Sequence, residues 1–179
     1  MVEIRRLNAA EAQQYVGELA GVLVDCVEGG ASVSFMSPFG QSHGEEFYRK
    51  VAVGVDAGER ILLAAFLEGR VVGTVQVLIA MPPNQPHRAE IAKLLVLRSA
   101  RGRGIAHSLM EEAERQAVSA GKTLLVLDTV TGGDAERLYE RLGWVKVGVV
   151  PDFALFPDGR WTDATIFWKK LDSGRLVNE

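Results

Sequence analysis

The stretch of sequence that decides the fold lies in the middle of the chain, where residues 96–106 read VLRSARGRGIA. An apolar strand ends at its start and an amphipathic helix begins at its end, with Ile105 and Leu109 on one helical face. The first amides of a helix lack intrahelical partners and lie at the positive end of its dipole, and glycines let a phosphate approach closely. The stretch therefore predicts an anion site suited to a diphosphate, to which Arg101 and Arg103 add positive charge.

Other ligand classes that use glycine-rich or basic loops are disfavoured by particular residues in this stretch. A nucleoside triphosphate loop needs Lys after its last glycine, and no Lys follows Gly104. A dinucleotide fingerprint needs a third glycine where this chain has His107. An RNA-binding basic loop interleaves aromatic residues, and residues 98–103 contain none. A solvated basic turn without a ligand is the alternative that the residues leave open.

The elements around this stretch read as a strand, a helix and a second strand. We predict a strand over Ala89–Leu97, a helix over Ile105–Ala120 and a strand over Thr123–Asp128. Two strands joined in this way are expected to be parallel with a right-handed crossover. Parallel strands bind ligands beyond their carboxyl ends, so the site is expected where Leu97 and Asp128 end the two strands.

The rest of the chain predicts one mixed α/β domain that fills residues 1–179. Asn8, with Glu11 three residues later, predicts a helix N-cap, and the helix that follows is expected to end at Gly29. Residues 68–70, Glu-Gly-Arg, join two apolar runs and indicate a hairpin. The remaining predicted elements are strands over 2–7, 61–67, 71–80, 145–150 and 164–170 and helices over 45–57 and 134–142. Together they predict a central mixed sheet of about seven strands flanked by about four helices.

Composition narrows the class of protein. The chain is 47% hydrophobic and 24% charged, and its net charge of −3 gives no electrostatic footprint for nucleic acid or an anionic membrane. Cys26 is the only cysteine, which excludes an internal disulfide or a Cys-based zinc site and fits a reducing compartment. The three histidines lack metal-ligand spacing, and the longest apolar run, residues 61–67, is too short to span a bilayer. We therefore expect a cytoplasmic protein with no metal, no nucleic-acid partner and no membrane segment.

Two motifs resemble the GNAT superfamily of acyl-CoA-dependent N-acyltransferases, and they stand in the expected order. The pattern Arg101-x-x-Gly104-x-Ala106 after Leu94-Leu95-Val96 resembles its acetyl-CoA loop, and residues 135–144, AERLYERLGW, resemble its tyrosine-bearing helix. Arg98 departs from the family pattern, which often has Pro there. Further stretches are similar to the tabtoxin resistance branch, acetyltransferases that modify a small amino-acid-like toxin: residues 29–33, 88–90, 127–129 and 157–160.

The resemblance implies a role for each candidate site residue. Acetyl-CoA is the implied co-substrate, and a small-molecule primary amine is expected to attack it directly in a ternary complex. Glu90 and Asp128 are the implied proton acceptors, directly or through water, and Tyr139 is implied to protonate the departing thiolate. The implied cofactor-binding residues are Arg101, Gly102, Arg103, Gly104, Ile105 and Ala106 for the diphosphate and Leu95, Val96 and Leu97 for the pantetheine amides.

Ordinary structural roles compete with several of these assignments. Glu90 could be a salt-bridged strand residue, Asp128 a cap of the following turn, and Tyr139 a half-buried aromatic. Cys26 lies on the apolar stripe of the first helix and is expected to be part of the core, not a nucleophile. Lys93 stands in the middle of an apolar strand and has no role in this scheme.

The identity of the acceptor amine is not encoded in any readable motif. Residues 30–40 are expected either to plug the core or to face the substrate, and the proline-rich turn over 81–87 is expected to help shape the acceptor site. A protein or peptide amine is the alternative acceptor, and a catalytically silent acyl-CoA sensor is an alternative of a different class. A role in toxin resistance and a homodimer are implied by the resemblance alone.

Overall fold

A mixed seven-stranded sheet organises residues 1–172, the part of the chain that the computed structural model describes. In chain order the elements are β1 (Val2–Leu7), α1 (Ala9–Gln14), α2 (Val16–Glu28), α3 (Gln41–Asp56), β2 (Arg60–Leu67), β3 (Arg70–Leu78), β4 (Arg88–Val96), α4 (Ile105–Ser119), β5 (Leu124–Val130), α5 (Asp134–Arg141), β6 (Val145–Leu155) and β7 (Trp161–Lys170). The strands lie in the order β1-β2-β3-β4-β5-β7-β6. The expected fold class is confirmed, with five helices in residues 1–172 where about four were predicted.

The two faces of the sheet bury two separate hydrophobic cores. In β2, Ile61 and Leu63 pack in the core that contains the apolar face of α4, whereas Leu62 and Ala64 pack in the core that contains α2 and α3. Successive side chains of a strand point to opposite faces, so a strand covered on both faces is apolar at nearly every position. This arrangement explains why residues 61–67 form the longest apolar run of the sequence.

The helix predicted to begin after Asn8 is divided into α1 and α2. Its predicted cap is confirmed, because the Asn8 side chain accepts a hydrogen bond from the Glu11 amide and the Glu11 carboxylate accepts one from the Asn8 amide, both at 2.9 Å. The division lies at Tyr15, whose ring packs edge-on against Phe66 with 5.1 Å between centroids. The apolar spacing of the sequence continues through Tyr15, so the periodicity did not reveal the break.

The two largest differences from the predicted element boundaries lie where the sequence signal weakens; smaller shifts occur elsewhere, as at β5, which runs to Val130 instead of ending at Asp128. α3 begins at Gln41 rather than at Glu45, since its first turn, QSHG, lacks the large apolar residues that mark a helical face. β6 runs to Leu155 rather than to Val150, through Pro151. β6 is the last strand of the sheet, and an edge strand tolerates a proline that a central strand would not.

The candidate site is positioned by the parallel pair of strands, β4 and β5. They pair over three residue pairs, Arg88–Glu90 with Leu124–Val126, which confirms that the strands of the strand, helix, strand unit are parallel. Beyond Glu90 the β5-facing edge of β4 has no strand partner among the described residues, while β5 continues to Val130 against β7. A gap therefore opens between the two strands, and such gaps are where α/β sheets bind ligands.

Candidate active site

The gap between β4 and β5 leads into a cleft of about 830 Å³, a volume within the usual range of ligand sites. Its walls come from the first turn of α4, from α5, from residues 31–34 and from the ends of β6 and β7. Leu97 and Arg103 are the two predicted site residues that do not line it. The predicted residues that do line it are Glu90, Leu95, Val96, Arg101, Gly102, Gly104, Ile105, Ala106, Asp128 and Tyr139.

The first turn of α4 presents free amides to the cleft. Gly104, the N-cap, has φ 76° and ψ 3° and carries no side chain that could cap the helix. The amides of Ile105, Ala106 and His107 have no hydrogen-bond partner in the part of the chain that the structure describes, and the helical bonds start with the Ser108 amide on the Gly104 carbonyl at 3.1 Å. Free amides at the positive end of a helix dipole fit a phosphate group, as the sequence predicts.

The turn that leads into α4 is held by α2, through the residue that departs from the family pattern. Arg98 opens a 3-10 turn, Arg98–Ala100, and its amide donates to Asp25 Oδ2 at 2.8 Å while its Nε donates to Asp25 Oδ1 at 2.9 Å. A proline has no amide to donate, so Arg98 gives this turn an attachment that the usual residue would not. Arg98 thus supports the anion site from outside the cleft.

Two predicted cofactor-binding residues, Arg101 and Leu97, make contacts that the sequence did not indicate. The Arg101 guanidinium donates from Nε to the Val96 carbonyl at 3.2 Å, and its Nη2 lies 3.9 Å from Cys26 Sγ, so part of this side chain braces the end of β4 against α2. The Leu97 amide donates to the Val72 carbonyl at 2.9 Å and is therefore used by β3. Arg103 is exposed beside the cleft.

The two carboxylates predicted as proton acceptors differ in their partners. Glu90 Oε1 lies 2.5 Å from Arg88 Nη1, so Glu90 is a salt-bridged strand residue. The Asp128 side chain makes no hydrogen bond within residues 1–172, so it does not cap the following turn. Glu90 is in register with Val126, two residues before Asp128, which places both carboxylates on one face of the sheet.

Tyr139 lies on α5 with its ring in the core and its edge in the cleft. It is 5% exposed, and its ring packs against Trp144 and Phe167 with centroid distances of 5.8 and 5.9 Å. Burial raises the pKa of Tyr139 above its ordinary value, and the nearby carboxylate of Asp128 raises it further. The hydroxyl therefore stays protonated at neutral pH.

A buried carboxylate holds the start of α5 and thereby the position of Tyr139. Glu136 accepts hydrogen bonds from the Gly132 amide, from Lys146 Nζ at 2.9 Å and from Thr165 Oγ1 at 3.2 Å. The hydrogen bonds from Lys146 and Gly132 lower the pKa of Glu136. Sequence reasoning did not single out this residue, because its partners lie on other elements.

Cys26 is buried, as expected, and unsuited to act as a nucleophile. The side chain is 1% exposed, and the thiol donates to the Val96 carbonyl with 3.6 Å between sulfur and oxygen. Burial raises the pKa of Cys26, and the positive charge of Arg101 offsets only part of that effect. A thiol with a raised pKa carries little of the reactive thiolate at neutral pH.

A bulge in β4 brings Lys93, which had no role in the sequence scheme, into the cleft. Ala92 faces Gln76 and Leu95 faces Thr74, so β4 has one more residue than β3 over this interval. Lys93 lies within this bulge and has φ 54°. This left-handed conformation costs a non-glycine residue about 1–2 kcal/mol. The bulge turns the next side chain of the strand to the other face of the sheet, and it leaves Lys93 lining the cleft.

Residues 31–37 close one end of the cleft and also cover the core. Ser32 Oγ donates to the Leu155 carbonyl at 2.7 Å, and the Ser37 amide donates to the Pro157 carbonyl at 3.0 Å, so this loop crosses to the turn between β6 and β7. Val33 packs against the core of α2 and α3, while residues 31–34 line the cleft. The loop therefore covers the core, as one prediction had it, and its lining of the cleft leaves the substrate-facing role a prediction.

The turn over residues 81–87 does not shape the cleft, contrary to the expectation. None of these residues lines it, because the turn precedes β4 and so lies at the opposite end of that strand from α4. Its contacts are structural: Lys122 Nζ donates to the Pro86 carbonyl at 2.8 Å, and the Thr123 amide donates to the His87 carbonyl at 2.9 Å.

Residues 1–172 contain neither a helix that could span a membrane nor a cluster of metal-ligand side chains. Within 1–172, every helix is too short or too polar to cross a bilayer. The same span brings together no group of three or more His, Cys, Asp or Glu side chains that could hold a metal ion.

Comparison with known proteins identifies relatives of this chain. The model of the acetyltransferase (GNAT) family matches residues 31–144. The chain is 33% identical over 88 residues to N-alpha-acetyltransferase MAK3 of Arabidopsis thaliana, and that match covers 49% of this chain and 46% of the relative. The chain thus spans less than half the length of that relative.

Solved structures share the fold at low sequence identity. An N-acetyltransferase from Staphylococcus aureus Mu50 is similar with a TM-score of 0.79 and 18% identity, over 96% of this chain and 99% of that chain. yncA from Salmonella typhimurium, solved with its cofactor acetyl-CoA, is similar with a TM-score of 0.77 and 18% identity, over 96% and 95% of the two chains. At this identity the likeness is one of fold.

Proposed function

Since the chain belongs to the acetyltransferase (GNAT) family, we propose that it transfers the acetyl group of acetyl-CoA, the co-substrate of this family, to a primary amine of a small molecule. One observation carries the proposal: the free amides at the start of α4, the unpaired carboxylate of Asp128 and the protonated hydroxyl of Tyr139 all open into one cleft. Beyond Glu90, the edge of β4 that faces the gap has no strand partner among the described residues. This edge suits the amides of a pantetheine arm, which would pair with it as an added strand.

The residues present fit acetyl-CoA. Backbone amides of residues 104–107 would hold its diphosphate, with positive charge from Arg101 and Arg103 nearby. Acetyl-CoA supplies a thioester carbonyl as the electrophile. A main-chain amide of residues 95–97 would polarise that carbonyl. The Leu97 amide is bonded to β3, and Leu95, two residues earlier and in register with Thr74, faces β3 as well, which leaves Val96 as the candidate.

The acceptor amine has to lose a proton before it can attack. An alkyl amine with a pKa of about 10.4 is neutral in about 4 of 10,000 molecules at pH 7, which corresponds to about 4.6 kcal/mol. Asp128 is the acceptor of this proton, directly or through one water, because its carboxylate has no other partner among the described residues. Glu90, already paired with Arg88, would assist by holding that water.

Tyr139 supplies the proton that the leaving sulfur needs. The nitrogen–carbon bond forms as the carbon–sulfur bond breaks, and the hydroxyl of Tyr139 gives its proton to the thiolate. Because burial and the Asp128 carboxylate raise the pKa of Tyr139, its hydroxyl carries a proton at neutral pH. A covalent acyl-enzyme on Cys26 is not part of the proposal, because that thiol is buried and its pKa is raised.

A small acceptor is favoured over a protein by the closed end of the cleft. The loop of residues 31–37 is bonded to the turn between β6 and β7 through Ser32 and Ser37, so an extended peptide would have to displace it. The resemblance to the tabtoxin resistance branch makes amino-acid-like toxins the first acceptors to test. We place the reaction in the cytoplasm, where Cys26 would remain the free thiol that it is.

Two measurements on the full chain test the proposal. Acetyl-CoA at about 100 times its Kd should raise the unfolding free energy by about 2.7 kcal/mol, a rise in Tm of about 5–10 °C. A thiol-release assay with a panel of amines, amino acids and short peptides should find an acceptor among the small amines. Tyr139→Phe should slow thiol release about tenfold without changing the acetyl-CoA shift, because a thiolate with a pKa near 8.5 leaves tolerably without help.

A second buried tyrosine provides the matched control. Tyr48→Phe removes the hydroxyl of another buried tyrosine that does not line the cleft, and it should leave turnover unchanged. No shift with acetyl-CoA would refute the proposal. A shift without thiol release from any acceptor would identify a silent acyl-CoA sensor, and release with peptides alone would identify a peptide acetyltransferase.

A further inference from the structure

The bulge in β4 carries a lysine into the acceptor side of the cleft at a cost in backbone strain. Lys93 has φ 54°, where glycine or asparagine would be comfortable, yet the chain has a lysine. The residue lines the cleft together with Ser34 and Asp128. A strained residue in a bulge beside a ligand site is often one whose side chain the bulge redirects.

The ammonium group of Lys93 has no carboxylate partner within the described part of the chain. Its Nζ donates to Ser34 Oγ at 2.9 Å and lies 6.0 Å from the centre of the Phe35 ring, and no carboxylate oxygen of residues 1–172 lies within 4.0 Å. By contrast, Arg137, another cation that lines the cleft, is paired with Asp134. Lys93 is therefore a cation that can take an external anion.

The surroundings of Lys93 favour the binding of an external anion. Burial lowers its pKa, and the carboxylate of Asp128 offsets only part of that shift. The Ser34 hydroxyl accepts from Lys93, so its own hydrogen is free to be donated. Lys93 and Ser34 together offer two donors, which matches the two oxygens of a carboxylate.

The position of Asp128 defines how an acceptor would lie. Asp128, Lys93 and Tyr139 all line the cleft, and the charge of Asp128 acts on both of the other groups, so this carboxylate lies near the lysine and near the tyrosine. An acceptor that carries an amine and an anion would direct the amine to Asp128 and Tyr139 and the anion to Lys93. A cation and an anion on facing strands thus suit an amino-acid-like acceptor.

We propose that Lys93 is a specificity-determining residue that binds the carboxylate of the acceptor, with Ser34 as its second donor. The inference rests on the transferase function proposed above and names the acceptor class: amino acids and amino-acid-like amines with a free carboxylate. It gives the strained bulge and the unpaired ammonium one common explanation.

Matched pairs of acceptors test this assignment. Thiol release is measured for L-amino acids and for the carboxamide of each, and the wild-type protein should prefer the free carboxylate. Lys93→Met should lower kcat/KM for the carboxylates by about 10- to 100-fold through KM, with little change for the carboxamides. Lys93→Arg should keep part of the preference because it keeps the charge. Lys93→Asn should lose the preference for the free carboxylate. Because asparagine tolerates the left-handed conformation, this variant is expected to fold.

The controls separate this inference from the proposed function. Lys170→Met removes an exposed lysine at the far end of β7, and it should change neither acceptor preference nor the thermal shift with acetyl-CoA. Equal losses for carboxylates and carboxamides in Lys93→Met would overturn the assignment, as would a wild-type preference for the carboxamide.

A binding measurement tests whether Lys93 binds a carboxylate even if no acceptor is acetylated. In that case the transferase proposal fails, and ligand-observed NMR is carried out with CoA, N-acetyl amino acids and their carboxamides. The N-acetyl amino acids should bind the wild-type protein more tightly than the carboxamides, and Lys93→Met should abolish the difference. Failure of the N-acetyl amino acids to bind, or binding that Lys93→Met leaves unchanged, would overturn the assignment.

Discussion

The two ends of the cleft are built in different ways. At the α4 end, residues 102–107 are contiguous in sequence, and their free amides follow from two glycines and a helix start. At the acceptor end, Ser34, Lys93 and Asp128 come from three separate segments and meet only in the folded protein. The comparison teaches that a site for a shared co-substrate can be contained in one local motif, whereas a site for a particular acceptor is assembled by tertiary contacts.

If the two ends act as proposed, the largest effect should come from Asp128, at the acceptor end. Asp128→Asn removes the unpaired proton acceptor and should lower kcat by about 100- to 1,000-fold at saturating acetyl-CoA. Glu90→Gln should cost about tenfold or less, because Glu90 is already paired with Arg88 and would act through water. The thermal shift with acetyl-CoA should be unchanged in both variants. A larger loss from Glu90→Gln than from Asp128→Asn would reverse the roles assigned here.

A smaller effect, on acetyl-CoA binding and not on the chemical step, should come from the α4 end. Gly104 and Gly121 lie at opposite ends of α4, both have φ 76°, and a methyl group added at either would meet no other atom within 4 Å. Gly104→Ala and Gly121→Ala should each lower the unfolding free energy by about 1–2 kcal/mol. Only Gly104→Ala should also weaken acetyl-CoA binding, by about tenfold, because its methyl group stands where the diphosphate approaches.

Isothermal titration calorimetry with acetyl-CoA distinguishes these two glycine variants. Equal affinities in Gly104→Ala and Gly121→Ala would mean that the first turn of α4 does not hold the co-substrate. Equal losses of affinity would mean that the effect comes from general destabilisation of the helix.

The smallest effect links the two ends through α5 and concerns stability. Glu136→Ala removes the carboxylate that holds the start of α5 and should lower the unfolding free energy by about 1–3 kcal/mol at pH 7. The folded-state pKa of Glu136 is lowered, so its contribution is full above the unfolded pKa of about 4.3 and is lost as the pH falls below it. Glu140→Ala, an exposed residue on the same helix, should change stability by less than about 0.5 kcal/mol.

Thermal unfolding of both variants from pH 7 down to pH 3 checks this. The gap in Tm between Glu136→Ala and the wild-type protein should be about 2–10 °C at pH 7 and should shrink in acid. A gap that stays constant with pH would show that packing, not the charge of Glu136, holds α5.

Local signals predicted much of the fold and the α4 end of the cleft. The Asn8 cap, the hairpin over residues 68–70 and the parallel strands flanking α4 were all predicted, because each depends on residues close in sequence or on one periodic pattern. The break at Tyr15 was missed, because the apolar spacing of the sequence continues through that residue. The boundary of α3 was missed because its first turn is polar.

The acceptor end could be predicted only in part. Asp128 and Tyr139 were found through their place in recognisable motifs, and both line the cleft. Lys93 was visible as a charge in an apolar strand, but its place in the cleft depends on the bulge opposite Gln76 and Thr74, which the sequence does not show. The turn over residues 81–87 was wrongly assigned to this end, because it precedes β4 and lies at the amino end of that strand, opposite the carboxyl end where the site is expected.

The sequence by itself determined the glycine-containing junction that begins α4 and the continuous apolar strands that place a sheet between two helical layers. Backbone conformation, free helix amides and side-chain periodicity are properties of residues that lie within a few positions of each other. Only the tertiary structure decided that, among the described residues, Glu90 is paired while Asp128 is free and Lys93 lacks an anion. The partners of a charged side chain lie on other strands, and which of them come within hydrogen-bonding distance depends on strand register and on where the sheet opens.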